Sequence, residues 1–84
     1  MKSRTSQRAY SIWLRSLDRD SLFVETVNII TLAATDSDLN KAYYGKQHEC
    51  DREWVRRDGD NNMYCRALEK AILKYASHSM CFFL

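Results

Sequence analysis

The chain contains no proline and only two glycines in 84 residues, so very little in it can interrupt an α-helix. Proline breaks a helix interior, and glycine costs about 1 kcal/mol there relative to alanine. A chain of 84 residues makes one domain, since domains usually run to about 100–150 residues. The hydrophobic share of 45% and the charged share of 29% are typical of folded chains. These features predict a single helical domain over residues 1–84.

Apolar residues recur at the spacing of an amphipathic helix in several successive segments. In the first segment the stripe consists of Tyr10, Trp13, Leu14 and Leu17. In the last segment, Asn62 to Ala76, the most regular stripe of the chain consists of Tyr64, Ala67, Leu68, Ala71, Ile72 and Tyr75. A charge placed in that stripe, as in Leu68→Asp, is expected to unfold the domain because a buried unpaired charge is costly.

The second segment, Leu22 to Ala34, is rich in β-branched residues, which favour strands. It lacks strict alternation, however, and the chain offers no second strand to pair with it. We therefore expect a buried helix capped by Asp20 or Ser21. One face of this helix is expected to carry Phe23, Val27, Ile30 and Ala34.

A capping signal, Thr35-Asp36-Ser37-Asp38, precedes the third helix, which we expect from about Asp36 to Arg57. Gly45 either allows a neighbouring backbone to approach closely or breaks this helix, whereas Gly59 is placed to end it in the left-handed conformation. Asp60 or Asn61 then caps the fourth helix. The apolar face of the third helix consists of Leu39, Tyr43, Cys50 and Trp54. The predicted fold class is therefore all-α, with about four helices and short connections.

The amino terminus does not contain the unbroken apolar run of a signal peptide, because Arg8 falls where that run would begin. The most apolar stretch, Leu22 to Ala34, is too short to span a bilayer. We therefore expect a cytoplasmic protein without a membrane partner. Its cysteines are expected to be free thiols at Cys50, Cys65 and Cys81.

The residue pattern predicts neither a metal site nor a catalytic site. His48 and Cys50 lie two residues apart, so on a helix they point to nearly opposite sides and cannot share an ion or a substrate. The pair His78-x-x-Cys81 has a better spacing but lies near a tail without a firm helical pattern. The spacings typical of zinc ligands, C-x2–4-C and H-x3–5-H, do not occur. Phosphate-binding loops and hydrolase motifs do not occur in the sequence. We expect a non-enzymatic protein without a cofactor or a bound metal.

The carboxyl end, Met80 to Leu84, is entirely apolar. We expect it to pack into the core or into the groove of a partner. An alternative is prenylation, because Cys81-Phe82-Phe83-Leu84 matches the C-a-a-X pattern.

Basic residues form two groups that could meet phosphates. The first is a row at i, i+4, i+8 on the outer face of the fourth helix and consists of Arg66, Lys70 and Lys74. The second consists of Arg52, Arg56 and Arg57, and acidic residues interrupt it. The formal net charge is only +2. Contact with nucleic acid is therefore expected at most indirectly, through an assembly.

Between Tyr10 and about Trp54 the chain resembles the Hha/YmoA family of small nucleoid-associated modulators from enterobacteria. The residues that carry the resemblance are Tyr10 with Leu14-Arg15, then Asp36, Asp38 and Leu39, then Tyr43 or Tyr44, His48 and Glu53. The acidic position through which that family contacts its partner is occupied here by Gln47, and its arginine by Glu49. The resemblance implies docking on a nucleoid-structuring protein such as H-NS, and hence regulation of transcription.

Two functions compete on this basis. The first is a modulator of an H-NS-like regulator that binds through the third helix, and the residues expected to bind are Tyr44, Gln47, His48, Asp51 and Arg52. The second is an inhibitor from a phage or mobile element that blocks a bacterial host or defence protein of the CRISPR or restriction type. Its expected aromatic anchors are Trp13, Tyr44 and Trp54. Because so small a core supplies little stability, a homodimer is a further expectation.

Overall fold

The computed structural model describes the backbone of residues 2–35 and 37–80 and the side chains of residues 8–35 and 41–75. Within these ranges the chain forms α1 (Lys2–Ser16), α2 (Arg19–Thr35), α3 (Ser37–Asp58) and α4 (Asn62–Met80). The longest connection is residues 59–61. The predicted all-α class and its short connections are confirmed. The side chains of His78 and Cys81, the C-a-a-X pattern, and the acidic start signal of α3 with Leu39 lie outside the described residues.

Side-chain caps and one glycine set the ends of the helices. The N-cap of α2 is Asp18, whose Oδ1 accepts a hydrogen bond from the Ser21 amide at 2.8 Å. The prediction of Asp20 or Ser21 was wrong because α2 begins at Arg19, before its apolar pattern starts. Asp60 accepts from the Asn62 amide at 3.0 Å, as expected for the cap of α4. Gly59 has a φ of 81° and ends α3 as predicted. The unbroken helix also passes through Gly45.

The central helix is α2, which packs mainly against α3 and α4, whereas α1 packs mainly on α3. It has two adjacent apolar stripes rather than the single one predicted. The buried stripe that the sequence analysis missed consists of Leu22, Thr26, Ile29 and Ala33. In the predicted stripe, Val27 and Ile30 pack against Ala67 and Ala71 of α4. Only Ala34 in the predicted stripe is exposed.

The main core surrounds Trp54, which is fully buried with Leu14, Leu22 and Cys50. Its indole Nε1 donates a hydrogen bond to the Thr26 hydroxyl at 3.0 Å. That hydroxyl in turn donates to the Leu22 carbonyl at 2.6 Å, so the buried polar atoms are satisfied. The expectation that Trp54 is an exposed anchor was wrong, because its side of α3 faces α1 and α2.

Charged residues of α3 hold the carboxyl end of α1. Arg57 Nη2 donates to the carbonyl oxygens of Leu14 at 3.0 Å and Leu17 at 2.6 Å. Glu53 is almost fully buried and accepts hydrogen bonds from Arg57 Nε at 2.7 Å and Arg56 Nη2 at 2.6 Å. Two of the three residues in the second basic group therefore serve the fold.

Only a narrow strip of α4 is buried. Ala67 and Ala71 are fully covered by α2, whereas Leu68 is 39% exposed and Ile72 and Tyr75 are exposed as well. The prediction of Leu68 as a core residue was wrong. Small alanines bring α4 close to α2, but within the described part of the chain α4 packs little against α3, so the larger residues beside the alanines stay uncovered. None of the described helices is both long and apolar enough to cross a membrane.

Candidate functional site

Three of the predicted binding residues lie on one exposed stripe of α3. Tyr44, His48 and Asp51 follow the i, i+4, i+7 spacing, and Val55 continues it by one more turn. We call these four residues the outer α3 stripe. Its two apolar side chains are solvent-exposed, Tyr44 by 68% and Val55 by 44%. Val55 was not among the residues predicted to bind, although its spacing from Tyr44 and Asp51 could have indicated it.

Gln47 and Arg52 border the outer α3 stripe on opposite sides. Gln47 is half-buried on the side of the stripe nearer the core. Arg52 is exposed and lies 3.7 Å from Glu49 in an ion pair. An exposed pair of this kind holds its partner weakly, so the guanidinium stays available for other contacts.

Asp51 is the unusual residue of the stripe. Its Oδ1 is shielded from solvent and has no hydrogen-bond partner among the described residues. A shielded carboxylate oxygen without a donor is costly, because nothing replaces its lost hydration. Asp51 is also close enough to Tyr64 to help raise the pKa of that phenol, for which burial is the larger cause.

The proximity of Asp51 to Tyr64 places α4 next to the stripe. Leu68 and Ile72 follow Tyr64 by one and two turns of α4, and both side chains are exposed.

The basic row Arg66, Lys70 and Lys74 lies exposed on α4, as predicted. The Nζ of Lys70 is 5.8 Å from the centre of the Phe23 ring, a cation–π contact within the chain. Because Arg56 and Arg57 bind Glu53, the second basic group does not extend this row.

His48 and Cys50 do not form a site together, since His48 is exposed and Cys50 is fully buried. Burial raises the pKa of the Cys50 thiol to about 11, although hydrogen bonds with Tyr10 and Thr26 oppose the shift. At neutral pH this thiol is protonated and a poor nucleophile. Burial and a hydrogen bond to Glu25 also raise the pKa of Tyr10. Cys65 is a free, exposed thiol. Among the described residues, no three His, Cys, Asp or Glu side chains are grouped to hold a metal ion.

The chain was compared with protein-family models, with curated proteins and with solved structures. None of them matched. Membership of the Hha/YmoA family, inferred from the residues between Tyr10 and Trp54, stays a prediction.

Proposed function

We propose that this protein is a small non-enzymatic module that binds a protein partner through the outer α3 stripe. The observation that carries the proposal is the exposure of Tyr44 and Val55 on one stripe of α3, with the half-buried Asp51 between them. Aromatic side chains often dominate the binding energy of an interface, and a carboxylate beside them favours a partner that brings a cation.

The resemblance to Hha/YmoA favours a nucleoid regulator such as H-NS as the partner. In that family the partner-contacting acid is at the position of Gln47. Asp51 follows Gln47 by one helical turn and supplies a carboxylate on a neighbouring part of α3. An arginine or lysine of the regulator would pair with Asp51 while an apolar side chain packs on Tyr44. In this proposal the module acts in the cytoplasm on gene silencing, and DNA contact is indirect.

The test compares Tyr44→Ala with Lys74→Ala, which removes an exposed side chain from the basic row of α4. Binding of each purified variant to an H-NS-type regulator is measured by calorimetry. We expect Tyr44→Ala to weaken binding by about 2 kcal/mol, or roughly thirtyfold, and Lys74→Ala to bind like the wild type. Full binding by Tyr44→Ala, with loss in Lys74→Ala, would place the working surface on the basic row instead. An absence of wild-type binding would reject the regulator as the partner.

A second candidate is an inhibitor that covers the working surface of a bacterial host or defence protein. Two exposed aromatic residues on separate helices, Trp13 on α1 and Tyr44 on α3, favour it, since inhibitors of this size act through a few large anchors. Stoichiometric loss of activity of a CRISPR or restriction nuclease on addition of the protein would support this candidate. Binding to H-NS without such inhibition would reject it.

A further inference from the structure

The first helix carries the whole excess of positive charge in this chain. α1 contains four cationic residues and no acidic one, which gives it a formal charge of +4. Because the total is +2, the rest of the chain carries −2. The cationic residues of α1 are Lys2, Arg4, Arg8 and Arg15. The side chains of Arg8 and Arg15 are exposed, and neither forms an ion pair with a carboxylate among the described residues.

The solvent side of α1 is apolar at its centre. Four exposed residues follow the i, i+3, i+4, i+7 spacing of one helix face, and we call them the outer α1 face: Ala9, Ile12, Trp13 and Ser16. Its two large side chains are uncovered, Ile12 by 57% and Trp13 by 46%. Leu14 lies on the opposite side of α1 and is fully buried in the main core, so the outer α1 face points away from the domain.

We infer that α1 lies on the surface of an anionic lipid bilayer, with the outer α1 face directed toward the acyl chains. Arg8 and Arg15 are two turns apart and follow one edge of that face, where their guanidinium groups would meet lipid phosphates. The indole of Trp13 would enter the boundary between headgroups and acyl chains, which tryptophan prefers. Helices that bind in the plane of a membrane combine basic residues with exposed apolar ones in this way.

The apolar centre favours a lipid surface over nucleic acid. The phosphates of a duplex would satisfy the arginines but would leave Ile12 and Trp13 against a polar backbone. On a bilayer, the transfer of these two side chains out of water adds to the attraction of the cations. The expectation of no membrane partner rested on the length of apolar segments, and a helix in the interface does not need that length. The inference is independent of the proposed function, because the outer α3 stripe lies on another helix.

The experiment is sedimentation of the whole chain with vesicles of phosphatidylcholine, either alone or mixed with anionic phosphatidylglycerol. We expect binding to the mixed vesicles only, and weaker binding as salt is added. The emission of tryptophan should shift to shorter wavelength on binding. The chain has two tryptophans and Trp54 is fully buried, so the shift reports on Trp13.

Two pairs of variants locate the contact on α1. Ile12→Glu should weaken binding about tenfold, whereas Ile72→Glu, at a side chain of α4 that is 58% exposed, should bind like the wild type. Reversing both Arg8 and Arg15 to Glu should weaken binding at least about thirtyfold, since each cation near an anionic surface contributes about a fivefold factor. The control reverses Arg66 and Lys74 of α4, which changes the net charge equally. Circular dichroism establishes that the helices of every variant are intact.

Each contrary result is distinct. A wild type that stays in solution with the mixed vesicles would overturn the proposal, and so would equal losses in the two double variants, because binding would then follow net charge. Sedimentation without a shift in emission would leave Trp13 outside the bilayer and refute its insertion. If the wild type ignores vesicles but binds duplex DNA through Arg8 and Arg15, the surface binds nucleic acid and the lipid assignment is wrong.

Discussion

Arg57 joins α1 to the rest of the domain, and its replacement by methionine tests how much that junction contributes. The side chain reaches from α3 to the carbonyl oxygens of Leu14 and Leu17, at the carboxyl end of α1. The Leu14 oxygen also accepts from the Leu17 amide at 3.2 Å, and the guanidinium gives both oxygens a donor where the hydrogen-bond ladder of α1 ends. Methionine keeps much of the aliphatic stem and removes every donor. Arg57→Met therefore isolates the polar contribution from the packing contribution.

The expected loss follows from the number and burial of the bonds. Arg57 donates to three carbonyl oxygens at the carboxyl end of α1, those of Leu14, Arg15 and Leu17, and to the buried carboxylate of Glu53. Its side chain is only 14% exposed. Hydrogen bonds to a charged group contribute about 1.5–3 kcal/mol each, less where solvent screens them. Because part of the lost bonding is recovered by water, we expect a net loss of about 2–4 kcal/mol. The total stability of a domain of this length is about 4–13 kcal/mol.

Arg56→Met is the matched control. Arg56 also binds Glu53, but its side chain is 52% exposed and, among the described residues, it has no hydrogen bond to α1. The assay is urea unfolding followed by circular dichroism, with amide hydrogen exchange to locate the change. We expect Arg57→Met to lose far more stability than Arg56→Met and to lose protection first in α1. Equal losses in the two variants would refute the role assigned to Arg57.

Three other predictions follow from the structure. Burial opposes ionisation of Glu53, but Arg56 and Arg57 outweigh it and hold its pKa below the ordinary glutamate value. This ion pairing therefore contributes its full stabilisation above the ordinary glutamate pKa, and the contribution is lost as the pH falls through the lowered pKa of the folded state. The urea concentration at the unfolding midpoint should accordingly decrease once the pH is below about 4.5. Gly59→Ala should lower the free energy of unfolding by about 1–2 kcal/mol in the same assay, because a φ of 81° is unfavourable for alanine. No neighbouring atom lies within 4 Å of the added Cβ, so no steric clash adds to this cost. Leu68→Asp should fold and melt nearly like the wild type, whereas Ala67→Asp should not fold, as thermal circular dichroism would report.

Local spacing was sufficient to predict the helices but not the faces they bury. The four segments, the turn at Gly59 and the cap at Asp60 all follow from signals within a few residues. The burial of Thr26 and the exposure of Leu68 do not follow from such local signals, because each depends on whether another helix packs against that side of its own helix. Two helices, α3 and α4, pack against α2, so it has two buried stripes. The residue spacing within one segment does not reveal how many helices will pack against it.

The candidate site was predictable to the same extent. The spacing of Tyr44, His48 and Asp51 placed them together off the apolar stripe, and the structure has them on one side of α3, with Tyr44 and His48 exposed and Asp51 half-buried. The shielding of Asp51 Oδ1 could not be predicted, since it depends on surrounding atoms fixed by tertiary packing. Trp54 illustrates the opposite error, because its size and amphipathic character suit an anchor as well as a core.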